Sequence, residues 1–390
     1  MKSLLISGVY FPPQVGGISR IMEHLARAMG RERLCCLTGV AGPRSIPGPR
    51  VYRSPTAFFA PTRTRKGVAW ARVVSEIMIR ERPRAVLLGT VSDGPYGRWL
   101  RRWLGLPYVV YTHGNEVLGI LTEERPGAPE SFEGQALRGA SRVVAVSRFT
   151  AGLVQQAGVD PTRIEVVNPG CDLTRFAPKP ADASLRQRIL GARHRHRVIL
   201  TTGNLVARKG HDVVIRALAR LQVDVPDVVY LIVGDGPHRG ELERLAGLLG
   251  VRDRVVFAGR VPDAELPAFY ILGDVFVMVS RERREESDVE GFGLVYLEAG
   301  ACGKAVVGGR SGGIPEAIAD GVTGLLVDPS DPDDVARALA GILNEDGLAA
   351  RLGAAGRARV EREFTWAHAA HRIEAVLMAA AGECHACRAR

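Results

Sequence analysis

The chain has 390 residues, 46% of them hydrophobic and 24% charged, and a formal net charge of +10. That length exceeds what one ordinary core needs and the composition excludes a disordered chain, so two folded domains are expected. The longest apolar runs, at 228–234 and 275–280, are strand-sized and fall short of the roughly 18 to 20 residues of a membrane-spanning helix; the positive charge favours an anionic partner without saying which.

In chain order, the opening MKSLLISGVYFPP reaches Pro12 and Pro13 with no small-residue cleavage site. It reads as a first strand and not as a signal peptide, which makes the cytoplasm the expected compartment. Gly16 and Gly17 then precede the helical pattern ISRIMEHLARAM, where amides at a helix start can receive an anion; a plain turn is the competing reading. After LCCLT comes the patch FFAPTRTRK at 58–66, in which aromatic residues precede three positive charges. That composition suits a loop on an anionic membrane surface, and equally a solvated loop. The helical VAWARVVSEIMI and the runs AVLLG, PYVVYTH and RVVAVS follow. Apolar runs separated by amphipathic stretches are the pattern of a parallel sheet covered on both faces.

The segment NPGCDLTRFAPKPADAS breaks both periodicities and reads as an interdomain linker, with a boundary near 178–184 and a first domain over 1–180. The same pattern restarts with RVILTTG, a helix near 210–221, VVYLIVG, a helix near 238–249, RVVFAG, a helix near 263–272, VFVMVS, a helix from about 294, AVVGG and GLLVDP, giving a second domain over 181–364. Ser330 or Asp331 caps the helix that begins around Pro332. A long amphipathic helix, TWAHAAHRIEAVLMAA, occupies the final stretch over 365–390. Cys35, Cys36, Cys171 and Cys302 lie in or beside apolar stretches, as packed thiols do. Cys384, His385 and Cys387 could supply three metal ligands but lack a second CxxC pair, so a frayed terminus is preferred to a metal site.

Open α/β sheets bind ligands beyond the carboxyl ends of their strands, so the loops there carry the chemistry. The first is PPQVGGIS, not GxGxxG; GDGPHRG at 234–240 has the wrong glycine spacing, and no GxxxxGK[ST] loop occurs. Nucleic acid finds no zinc-finger spacing and no aromatic RNA-binding signature. Arg208 and Lys209 follow VILTTG and place two cations at the crevice rim, or else form a solvated basic turn. In EGFGLVYLE at 290–298, Glu290 and the glycines read as a loop, with Glu298 in the first turns of a helix. Carboxylates accept hydrogen bonds from sugar hydroxyls, and amides at a helix start receive a phosphate. Glutamates serving only as helix-dipole partners are the plainer alternative.

Taken together, GGIS, YTHGNE, NPGCDLTRF, VARKG, VGDGP, VFAGRVPD, EGFGLVYLEA and SGGIPEAI resemble the retaining GT-B glycosyltransferases of the family 4 type, nearest to the GDP-mannose-dependent mannosyltransferases of the phosphatidylinositol mannoside kind. The resemblance covers nearly the whole chain. It implies an α/β protein of GT-B fold, two doubly wound Rossmann-like domains facing a central cleft, with the acceptor on the first, the nucleotide sugar on the second, and the final helix crossing back to the first. It further implies metal-independent, cofactor-free hexosyl transfer with retention. The donor is a GDP-sugar, GDP-mannose being favoured, or a UDP-sugar such as UDP-GlcNAc; the receiver is a hydroxyl acceptor. Glu290 with the amides of Gly291, Phe292 and Gly293 is implied to bind the donor sugar, and Glu298 the ribose. The amides of Leu294 and Val295, with Gly16, Gly17 and Lys209, are implied to hold the pyrophosphate, and the backbone at Arg260 and Val261 to meet the base. His113 is implied to sit beside the donor sugar, the plain alternative being a histidine that closes a buried strand end. His113, Glu290 and Lys209 are thus the candidate catalytic residues. Asn204 stands where the family usually has arginine and brings hydrogen bonds without charge, so either Arg208 compensates or the leaving group is held less strongly. Tyr10 and 58–66 are candidates for contacting the acceptor, 58–66 also for peripheral contact with the inner face of an anionic membrane. A sugar-nucleotide 2-epimerase and a non-catalytic sugar-nucleotide-binding protein are the alternative functions.

Overall fold

Aliphatic and β-branched runs form two parallel sheets, described by a computed structural model for all residues except 43–46, 55–64, 125–129 and 389–390, with the side chains of 65–67 and 384–388 also outside the description. The 58–66 patch therefore lies almost wholly outside the described residues, as do the side chains of Cys384, His385 and Cys387. The chain divides into one unit of Met1–Gly170 with Trp366–Arg390 and another of Cys171–Thr365.

In the first unit, β1 (Ser3–Ser7), β2 (Leu34–Thr38), β3 (Arg50–Arg53), β4 (Ala85–Leu88), β5 (Tyr108–Thr112), β6 (Arg142–Ala145) and β7 (Ile164–Val166) pair in the order β3-β2-β1-β4-β5-β6-β7. Every residue of β1, β4 and β5 is buried, as a sheet covered by helices on both faces requires. The final helix, Trp366–Arg388, belongs to this unit: Trp366 stacks on His24 of the helix Gly17–Arg33 at 5.2 Å between ring centroids, and Arg33 pairs with Glu374 at 2.7 Å. Among the described residues no helix is long and apolar enough to cross a membrane.

The second unit holds β8 (Arg197–Thr202), β9 (Val228–Val233), β10 (Val255–Gly259), β11 (Val275–Met278), β12 (Ala305–Gly309) and β13 (Gly324–Val327), in the order β10-β9-β8-β11-β12-β13. Chain order reverses between β8 and β11, and between β1 and β4 in the first unit, so a crevice opens at the carboxyl ends of each pair. The division at Gly170 and Cys171 precedes the expected 178–184. Composition marks that stretch as a linker, but the Cys171 N–H donates to the Phe364 carbonyl at 2.9 Å and Arg357 donates to the Phe176 carbonyl at 2.8 Å, which ties 171–176 into the second unit. Asp331, not Ser330, caps the helix Pro332–Asn344 by accepting from the Asp333 N–H at 2.8 Å. Cys35, Cys36, Cys171 and Cys302 are free and buried.

Candidate functional site

Two loops of the second unit meet at the β8/β11 reversal: 203–210 after β8, and 279–293 after β11. Their backbones are pressed against neighbouring turns, and those turns carry glycine where they touch the loops. Gly234, just after β9, has φ +142°, and a Cβ there would run into the Gly203 carbonyl oxygen; Gly312, at φ +55°, packs equally hard on the Glu290 carbonyl, to whose oxygen the Gly313 N–H donates at 2.9 Å. Gly234→Ala is therefore expected to cost about 2–3 kcal/mol and to displace 203–210. A lower urea midpoint together with weakened sugar-nucleotide binding would register both effects.

Arg208 and Lys209 lie on the short 3-10 turn Ala207–Lys209. Lys209 Nζ and Arg208 Nη1 each donate to Glu290 Oε2 at 2.6 Å, and Arg208 Nε donates to Asp288 Oδ1 at 2.6 Å. All of Arg208, Lys209 and Glu290 are largely buried. Burial alone would favour the neutral form of Glu290, but Lys209 and Arg208 overcome it and bring its pKa down to about 2. Lys209 is pulled below the ordinary lysine range by burial and by the Arg208 charge, against the attraction of Glu290. Two cations thus face two carboxylates. Both cations carry more N–H groups than these bonds use, so an incoming anion shares them with Glu290 and Asp288, the latter a participant that sequence reasoning missed.

Gly293, at φ 96°, is the N-cap of the helix Leu294–Ala301. The first amides of that helix, those of Leu294 and Val295 among them, have no partner one turn back and carry its positive end. Gly291 and Phe292 are buried between this start and Glu290, with the Phe292 ring against Phe364 at 5.6 Å. Glu298 lies on the helix itself, 6% exposed, and accepts from Tyr270 Oη at 2.6 Å; Tyr270 in turn meets Thr202 Oγ1 at 2.6 Å. The two glutamates consequently belong to separate hydrogen-bonded groups, one cationic and one hydroxylic. Arg260 and Val261 follow β10, two strands from β8, at the same carboxyl edge. Asn204 is exposed, and the contact it makes with His211 runs through its carbonyl oxygen, 3.3 Å from Nε2.

Gly16, Gly17 and His113 belong to the first unit. A Cβ at Gly16 or Gly17 would meet nothing within 4 Å. Packing does not require glycine at either position, unlike Gly234, which leaves open backbone at the start of the helix Gly17–Arg33. His113 closes β5: its Nε2 lies 2.8 Å from the Gly89 carbonyl oxygen, which only accepts, so Nε2 carries the proton. The other ring nitrogen, Nδ1, is buried and has no hydrogen-bond partner among the described residues. The strand-closing role accounts for one face of the ring and not for the other.

Asp93, also overlooked from sequence, accepts from the Gly8 N–H at 2.9 Å and from Thr90 at 3.4 Å, and burial pushes its pKa up to about 7. A raised carboxyl contributes stability that is complete below the unfolded value near 4 and is lost as pH rises through about 7. Asp93→Asn keeps an acceptor for Gly8 and removes the titration. The variant is expected to be more stable at pH 7 by about 2–4 kcal/mol and to show a flatter dependence on pH in urea denaturation.

Residues 15–175 match the family described as Glycosyltransferase Family 4, and residues 184–359 the family described as Glycosyl transferases group 1. The GDP-mannose-dependent alpha-(1-6)-phosphatidylinositol monomannoside mannosyltransferase of Mycolicibacterium smegmatis is 37% identical over 370 residues, covering 91% of this chain and 93% of that protein. The D-inositol 3-phosphate glycosyltransferase of Salinispora tropica is 38% identical over 289 residues, covering 69% of this chain and 58% of its own. Among solved structures, Anabaena HepE in complex with UDP and glucose superposes with a TM-score of 0.77 at 23% identity over 97% of this chain and 99% of its own; sucrose-phosphate synthase of Thermosynechococcus elongatus gives 0.74 at 24% over 96% and 97%.

Proposed function

The chain belongs to the GT-B glycosyltransferases of the family 4 type, and from that premise we propose that it moves mannose from GDP-mannose, with retention of configuration, to an alcohol acceptor. An acceptor bearing inositol phosphate is the first to test, because the names of the mycolicibacterial and Salinispora relatives share that group. The observation that carries the reading is the buried Lys209–Glu290–Arg208 cluster beside the free start of the helix Leu294–Ala301.

Breaking the bond from the anomeric carbon to the diphosphate oxygen leaves negative charge on the phosphate and positive charge on the sugar. Cations and amides already in place stabilise the first without reorganising. In the proposal Lys209, Arg208 and the amides of Leu294 and Val295 take the diphosphate. Glu290 and the amides of Gly291, Phe292 and Gly293 bind sugar hydroxyls, Glu298 the ribose, and the backbone of Arg260 and Val261 the base. In the first unit, Gly16 and Gly17 let an anion approach the backbone, and His113 Nδ1 accepts from a sugar hydroxyl. The acceptor oxygen bonds to the anomeric carbon on the face the diphosphate leaves, and its proton passes to a departing phosphate oxygen; no enzyme nucleophile takes part. The test is incubation of the purified protein with GDP- and UDP-sugars, with and without phosphatidylinositol mannosides or inositol 3-phosphate. Mannosylated product with the anomeric configuration of the donor supports the reading. Transfer from a UDP-sugar alone, or inversion, overturns that part of it.

A further inference from the structure

Behind the 203–210 loop runs a buried chain of hydrogen bonds that the proposed transfer does not use. The Thr201 hydroxyl donates to the Val277 carbonyl, Tyr230 Oη donates to Thr201 Oγ1 at 2.9 Å, His211 Nδ1 lies 3.0 Å from Tyr230 Oη, and His211 Nε2 lies 3.3 Å from the Asn204 carbonyl oxygen. Thr201, Tyr230 and His211 are all at most 2% exposed.

Both ends of this chain are main-chain carbonyls, which only accept. Four links need four hydrogens. Threonine supplies one, tyrosine one and a neutral imidazole one, so one link is always empty. Thr201 spends its proton on Val277 and Tyr230 its own on Thr201. With one proton, a neutral His211 donates either from Nδ1 to Tyr230 or from Nε2 to the Asn204 carbonyl, and its other nitrogen then faces a lone pair across an empty link. An imidazolium fills all four.

We propose that His211 is a positioning residue that takes up a proton when the donor's diphosphate binds at Asn204–Lys209, so that one imidazolium donates at once to the Asn204 carbonyl at the start of the loop and to Tyr230 behind it. The uptake also places a positive charge directly behind Asn204. This rests on the diphosphate binding where the preceding reading puts it. Without ligand the imidazole is neutral: burial lowers its pKa to about 4, Lys209 and His238 push the same way, and the Asn204 carbonyl and Asp212 oppose them. Asp212 is itself engaged by Arg281 at 3.1 Å, and Arg216 and Glu241 line the cavity that His211 backs. A bound diphosphate adds negative charge on the loop side and shifts the balance toward the imidazolium.

GDP-mannose and UDP-glucose are suitable probes, since their diphosphates carry no group that titrates near neutrality. Calorimetric titration of the full-length protein between about pH 5.5 and 7.5, in buffers of different ionisation enthalpy, counts the protons taken up. The bound-state pKa lies above the free one, so affinity rises as pH falls through it, toward a limit of about tenfold per pH unit. His211→Gln is expected to abolish the uptake and flatten that slope. If His211→Gln does not fold, the nitrogen chemical shifts of His211 in the unsubstituted protein report the imidazolium at saturation directly. Binding with no proton uptake, uptake retained in His211→Gln, or a neutral His211 at saturation overturns the proposal and leaves the site reading standing. Failure of both sugar nucleotides to bind removes the site reading and this proposal together.

Discussion

Glu290→Ala is expected to lower transfer by roughly 100- to 1000-fold while leaving nucleoside diphosphate affinity unchanged or raising it several-fold. Two consequences of the 2.6 Å bonds to Lys209 and Arg208 set those opposite signs. Removing the carboxylate deprives the sugar of an acceptor for its hydroxyls, which matters most when charge develops at the anomeric carbon. It also releases both cations from the partner with which an incoming phosphate must otherwise compete. The free variant then holds uncompensated buried cations and is expected to lose about 3 kcal/mol of stability. A nucleoside diphosphate restores the balance. Thermal melts should therefore show GDP or UDP raising the midpoint of the variant by more than that of the unsubstituted protein. Equal loss of nucleotide affinity and turnover would place Glu290 on the phosphate side and contradict its assignment to the sugar.

That competition could not be read from the sequence, although Glu290, Lys209 and Arg208 were candidates there. Strands and helix starts were legible, and Glu290, Glu298 and Lys209 stood out as candidates, because each is marked locally, by apolar runs, by glycine before an amphipathic stretch, or by a motif. Arg208 and Asp288 are 80 residues apart, and only the neighbouring of β8 and β11 brings them to 2.6 Å. Asp93 and His211 escape for another reason. Each is a single polar residue in an ordinary pattern, and its chemistry comes from burial by elements distant in sequence. The boundary at Cys171 escapes because proline and charge suggest a linker, whereas the backbone bond to Phe364 depends on the chain's return nearly two hundred residues later. Gly16 and Gly17 show the reverse case. From sequence they are turn residues as readily as ligand contacts, and the open space around them removes packing as the reason for glycine.

Lys209→Ala separates the leaving-group role from that of nucleoside recognition. The ammonium is the more compact of the two cations on Glu290 and, unlike Arg208, has no bond to Asp288 to break before it reaches a phosphate. Its loss is expected to weaken GDP or UDP binding by about 10- to 100-fold, the value of one charge-assisted contact in a dry site, and to slow transfer by at least as much. Guanosine or uridine binding should not change. Raised salt should weaken diphosphate binding less in the variant, because one fewer charge is engaged. Adding Asn204→Arg to Lys209→Ala restores a fixed cation at the loop start and should recover part of the diphosphate affinity. Recovery would show that the loop after β8 tolerates the charge at either position. Without it, Arg208, freed from competition with Lys209 for Glu290, would be the cation that holds the leaving group.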